Sequence, residues 1–137
     1  MAETGLDMGK VMILFQRRYN YMREIDRLTG ELAEAMDRSD DVSVSLILQM
    51  RAGEMAGFDE CTNEIWQMSS IGKDALRKIR VLIQSDPEEA VGENPEEKKI
   101  YEIRRKTQAV IDRLRTVDER LNRRAAGKES FYGSGIR

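Results

Sequence analysis

The chain has no histidine, one cysteine, two prolines and few aromatic residues, and each scarcity removes something. Without histidine there is no side chain whose ordinary titration falls near neutral pH, and the commonest metal ligand is missing. General-base and metal-centre chemistry lose their usual carrier, and no cofactor is expected. Cys61 alone cannot close an internal disulfide. The apolar run 11–15 is too short for a signal-peptide core or a membrane span. Cytoplasmic residence and no membrane insertion are the expectation.

What remains is a chain of 137 residues with 35% charged and 6% aromatic side chains, the balance of a helical, well-solvated protein. The length fits one domain. Net charge is −2, so no overall field would draw a nucleic acid or a membrane. The halves differ: residues 1–70 hold 7 Lys/Arg against 13 Asp/Glu, and residues 71–137 hold 16 against 12. Opposite net charges on the two halves can attract within one fold.

Apolar spacing organises the rest. Val11, Leu14, Arg18, Tyr21, Ile25, Leu28, Leu32 and Ala35 alternate steps of three and four, a heptad seam that predicts a helix over about 8–38. "RSDDVSVS" interrupts it, with Asp40 or Asp41 placed to cap the next helix. The period resumes through Leu48, Arg51, Met55, Phe58, Thr62 and Ile65, and can be followed to Leu76, Ile79 and Ile83. "SSIG" puts weak helix formers on that seam, so the second helix is either one rod over 42–84 or a helix broken near Ser69 and Gly72. A rod of that length would reach roughly 65 Å against roughly 46 Å for the first helix, which favours a bend. Asn94-Pro95-Glu96-Glu97 reads as N-cap, N1 proline and acidic first turn of a third helix over 95–126, with Gly127 as its terminator. The expected fold is all-α: an elongated antiparallel bundle of three long helices with coiled-coil-like packing over residues 1–126, then a flexible tail, 127–137.

Residues off the seam are the candidates for binding. Phe15, Met22 and Met36 form a second stripe on the first helix. They either widen the core face, as a bundle of three or more helices requires, or form a groove for a client helix. All eight methionines precede residue 69, and flexible thioethers suit surfaces that accept varied apolar partners. In "RAGEMAG", Ala52, Gly53, Ala56 and Gly57 leave a strip poor in side chains, where a neighbouring backbone could approach or where glycine is simply tolerated. Trp66, the single tryptophan, edges the core or caps a groove, and Cys61 reads as a small buried hydrophobe. Phe131 and Tyr132, set among glycines, would fold back over the bundle or await a partner. The basic residues of 98–124 lie off the seam, are interleaved with acids and lack stacking aromatics, so nucleic-acid binding is not expected.

Two resemblances bear on function. Arg23-Glu24-Ile25-Asp26 resembles the opening phrase of the all-helical chorismate mutases, which implies arginines such as Arg23, Arg38 and Arg51 around a dicarboxylate. The spacing is one residue short, and no lysine stands between Lys10 and Lys73, where that family needs one. The second resemblance spans most of the chain. A long first helix, the stretch "DDVSVSLILQMRAGEMAGFDECTNEIWQM" with Asp41, Leu46, Leu48, Arg51, Met55 and Ile65, a further long helix and an aromatic tail look like the flagellar type III export chaperones of the FlgN and FliT kind. That resemblance implies a bacterial, non-enzymatic cytoplasmic protein with no cofactor. It would bind the helical terminal segment of a hook-filament junction or filament-cap subunit and deliver it to an export component. A coiled-coil adaptor that pairs with a second copy through the same faces, a homodimer, is the alternative.

Overall fold

A computed structural model describes residues 4–136, with side chains to Gly127. The described residues form four α-helices, α1 (Met8–Asp37), α2 (Asp41–Gln67), α3 (Lys73–Gln84) and α4 (Pro95–Ile136), with a 3₁₀ turn, Met68–Ile71, between α2 and α3. No strand occurs among the described residues.

Each helix start has a local chemical cause. Asp7 caps α1 by accepting from the Lys10 backbone N–H at 3.1 Å, and Asp40 caps α2 by accepting from that of Ser43, also at 3.1 Å. Asn94 accepts from the Glu97 N–H at 2.9 Å and returns a bond from its amide to the Glu97 carboxylate at 2.9 Å, closing a reciprocal cap on α4. Between α1 and α2 the chain reverses through Ser39, whose φ of 56° lies in the left-handed region. Glycine holds that conformation without the Cβ crowding that serine suffers. Ser39→Gly is therefore expected to raise stability by about 0.5–1 kcal/mol, read as a higher urea midpoint at unchanged slope.

The core is built in three clusters along α1. At its N-terminal end, Val11, Leu14 and Phe15 pack with Ile65 of α2, Ile79 and Leu82 of α3, and Ile100, Tyr101 and Ile103 of α4. In the middle, Met22 and Ile25 meet Val110 and Leu114. Toward the far end, Leu28, Leu32 and Ala35 meet Ile47, with Leu121 packed against them. This order runs α2 back along α1 and sets α4 in the same direction as α1. Buried Thr29 and Thr107 donate their hydroxyls to the Ile25 and Ile103 carbonyls of their own helices, so neither leaves an unmet polar group.

The second helix breaks where weak formers cluster, at the 3₁₀ turn ending in Ile71, and α3 folds over the N-terminal end of α1. The connector from α3 to α4 is held by Arg104 donating to the Ser85 carbonyl at 2.7 Å and Arg105 to that of Pro87 at 3.1 Å. Gly92 lies so close to the first turn of α4 that a Cβ there would overlap the backbone of Glu97 and Lys98.

One expected boundary is corrected. The helix does not end at Gly127 but runs to Ile136, so residues 127–136 belong to α4 and not to a separate tail. One glycine costs about 1 kcal/mol, and Ala125, Ala126, Lys128 and Glu129 around it favour helix, with no proline to stop it. The side chains of Phe131 and Tyr132 lie outside those described.

Candidate functional site

The backbones of α1 and α2 approach closely, as do those of α1 and α4, but α2 and α4 nowhere come within 8 Å, Cα to Cα, among the described residues. Between α2 and α4, above α1, the backbones leave a cleft that side chains of both helices enter. Half-buried Phe58 and Ile111, from opposite walls, both pack on the cluster of Met22, Ile25, Val110 and Leu114. Arg51 bridges the cleft, its Nη2 donating to both carboxylate oxygens of Asp118 at 3.0 and 3.2 Å.

Beside Arg51, α2 carries exposed apolar side chains. Leu48 and Met55, seven residues apart and so two turns apart on one side, are 48% and 41% exposed. Ala52 lies between them, exposed, and Trp66 continues the same side, half-buried against the N-terminal cluster. The heptad reading put Leu48 and Met55 on the buried seam, and the structure corrects it. The buried line of α2 is Ile47, Arg51, Cys61 and Ile65, displaced by part of a turn. That rotation follows from α2 having one close helical neighbour along its length: a single line of side chains is covered, and its edge stays in water.

Of the first-helix candidates, Phe15 is 1% and Met22 9% exposed. Both sit inside the core and offer no groove. Their stripe is the wide apolar face that contact with two helices demands, since α2 and α4 cover α1 from two sides. Met36 is partly buried against the far cluster. The strip of small residues divides as well. A Cβ on Gly57 would overlap the ring of Tyr21, so the close approach there is made within the chain by α1, whereas Ala52, Gly53 and Ala56 face solvent. Cys61 is buried, and burial pushes its thiol up from its ordinary range, away from reactivity.

Arg23, Arg38 and Arg51 do not converge. Arg23 and Arg38 are exposed, and Arg51 is engaged by Asp118. Among the described residues no group of three His, Cys, Asp or Glu is placed to hold a metal, and no helix is long and apolar enough to cross a membrane. No protein-family model matches this chain, and neither a curated protein nor a solved structure is significantly similar to it.

Sequence reasoning missed two features. Val42, Leu46 and Met50 are exposed on the other shoulder of α2, at four-residue spacing that is legible once the seam is rotated. Arg18, treated only as a seam position, reaches across to α2: its Nε donates to the Thr62 hydroxyl at 2.9 Å. An arginine at an a or d position was the available signal, because burial of a guanidinium calls for a partner.

Proposed function

We propose that this chain is a non-enzymatic chaperone or adaptor that receives a helical segment of another protein along the cleft between α2 and α4. In this reading α2 runs antiparallel to α1 and α4 in an up-down-up bundle with coiled-coil-like packing, α3 closes one end, and the missing wall is supplied by the client. The observation that carries it is the exposure of Leu48 and Met55 beside half-buried Phe58. Apolar side chains two turns apart, with small Ala52 between, match the i, i+3/i+4, i+7 anchors of an amphipathic helix laid in a groove. Affinity would come from apolar area removed from water, less the cost of ordering a flexible client. The resemblance to flagellar export chaperones supplies the client class: the terminal helix of a hook-filament junction or cap subunit, held in the cytoplasm before export.

Two substitutions test this. Leu48→Glu with Met55→Glu changes residues already in water, so the melting temperature should move little, while client affinity should fall about tenfold or more. Purification from the native cell with the wild-type chain and with the double variant reads the outcome. A flagellar subunit recovered with the first and lost with the second is expected. Recovery of no flagellar or export component would overturn the client class. Sedimentation of the pure wild-type chain as a dimer that the double variant dissolves would favour the self-associating adaptor instead.

A further inference from the structure

The first half of α2 is apolar on both sides of its buried line. Leu48 and Met55 lie to one side of Ile47 and Arg51, and Val42, Leu46 and Met50, each at least half exposed, lie to the other. With Gly53 they make a stripe about 17 Å long. No atom stands within 4 Å of where a Cβ on Gly53 would be, so a backbone can come close there. The margin of the stripe is acidic. Leu46 shares a surface recess with Glu31, Glu34 and Arg38 of the α1 end. Arg27 takes Glu31 and Arg38 takes Asp40, while Glu34, Asp41 and Glu54 enter no ion pair among the described residues.

The far end of α4 has the opposite character. Arg124 pairs with Asp37 and donates to the Met36 carbonyl at 3.3 Å, so the last turn of α1 stands level with it. Since α2 starts at this end and runs back, and α3 lies at the other, no helix of the chain runs beside α4 from Ala125 to Ile136 among the described residues. That overhang is about 18 Å long. By register, Ala125, Tyr132 and Ile136 continue the side of α4 on which Leu121 packs against the cluster of Leu28 and Leu32. Residues 120–137 hold five Lys/Arg against one Glu. A short helix with Gly127, Gly133 and Gly135 has little stability of its own in water, so this one calls for something to pack on.

We propose that the α4 overhang of one copy lies along the stripe of Val42, Leu46, Met50 and Gly53 on a second copy, and that the exchange is reciprocal. Overhang and stripe agree in length, each brings an apolar line, and the basic end meets acids that have no cation of their own. A two-fold axis across the bundles sets them end to end and makes the same contact twice, so the assembly closes at two. The incoming α4 then runs parallel to the partner's α2, with Ala125 near the partner's Val42 and Tyr132 near the partner's Met50. Pairing of α2 with α2 would instead set the acids of one copy against those of the other. Leu48 and Met55 stay uncovered, so this dimer does not rest on the function proposed above and leaves the client side free.

Sedimentation equilibrium of the full chain over a range of concentrations is the test. A monomer–dimer equilibrium with a dissociation constant on the order of 10 μM is expected, weakened several-fold by raising sodium chloride from about 0.05 to about 0.5 M. Leu46→Glu with Met50→Glu changes residues already in water and should weaken the dimer about tenfold or more at a little-changed melting temperature. Tyr132→Glu with Ile136→Glu should weaken it as much, and Leu48→Glu with Met55→Glu should leave it intact. In a Cys61→Ala background, a chain with Met50→Cys mixed with one carrying Tyr132→Cys should oxidise to a cross-linked pair of unlike chains. A monomer at every concentration, or a dimer indifferent to the Leu46 and Met50 pair, would overturn the proposal. So would a dimer that only the Leu48 and Met55 pair dissolves, or a dilute chain with both cysteine substitutions that closes the disulfide on itself.

Discussion

Phe15→Ala is expected to lower the free energy of unfolding by about 3–5 kcal/mol, the range for emptying a buried aromatic site. Native domains hold only about 5–15 kcal/mol in total, so the variant should be partly unfolded at moderate temperature. The ring is 1% exposed and lies in the one cluster that takes side chains from all four helices. Neither α1 nor α4 can move to refill the space without drawing Ile65, Ile79 or Ile100 off their own contacts, so collapse of the cavity is resisted and the upper half of the range is expected. Urea denaturation followed by circular dichroism measures it, and thermal melting should agree. The variant discriminates between two roles that the stripe Phe15–Met22–Met36 left open. A groove residue would lose partner binding at an unchanged urea midpoint, and that outcome would refute the core assignment.

The elements that sequence reasoning placed correctly are those with local causes. Asn94-Pro95-Glu96-Glu97 specifies a helix start through its own hydrogen bonds, whatever packs nearby, and α4 begins at Pro95. The interruption near Ser69 and Gly72 is likewise a matter of residue type, and the 3₁₀ turn falls there. Misplaced features depended on the neighbours. A heptad gives the period of a buried stripe but not its azimuth, and the azimuth of α2 is set by which helices approach it. Because α4 keeps its distance, Leu48 and Met55 moved from seam to surface and Ile47 took the buried place. For α1 the error ran the other way. Two helices cover it, so Phe15 and Met22, which a two-stranded seam would leave at its margin, are enclosed. The candidate site followed from those rotations: Trp66 and Ala52 fall on the side of α2 that carries Leu48 and Met55, Gly57 is occupied by Tyr21, and Arg18 could be recognised as unusual only once Phe15, Phe58 and Thr62 were seen around it. Charge was legible in sign and imprecise in pairing. The acidic first half does meet the basic second half, with Asp26 on Arg113 and Asp37 on Arg124. Such exposed pairs contribute well under about 1 kcal/mol each and do not decide the fold.

The pair that is costly to break runs the other way, with the arginine on α2 and the acid on α4. Removing the acid by Asp118→Ala is expected to destabilise the chain by about 3 kcal/mol, the low end of the range for breaking a shielded ion pair, because Asp118 itself is only two-thirds covered. Arg51 has 9% of its side chain exposed and its Nε already lacks any partner, so without Asp118 the guanidinium would stay buried with most of its donors unmet. Arg51→Met takes away the charge, the orphaned Nε and the desolvation cost together while filling similar volume. It should cost less than about 1 kcal/mol, and the double variant should resemble it and not Asp118→Ala. A urea-denaturation cycle over the four proteins measures the coupling. Equal losses in Asp118→Ala and Arg51→Met would mean that the bridge is a direct source of stability, which the orphaned Nε argues against. The expected asymmetry has a functional side. Arg51 and Asp118 join α2 to α4, and on the proposed function they would limit how far a client helix can travel between the two, so Arg51→Met should leave the chain folded while changing which residues of the client are held.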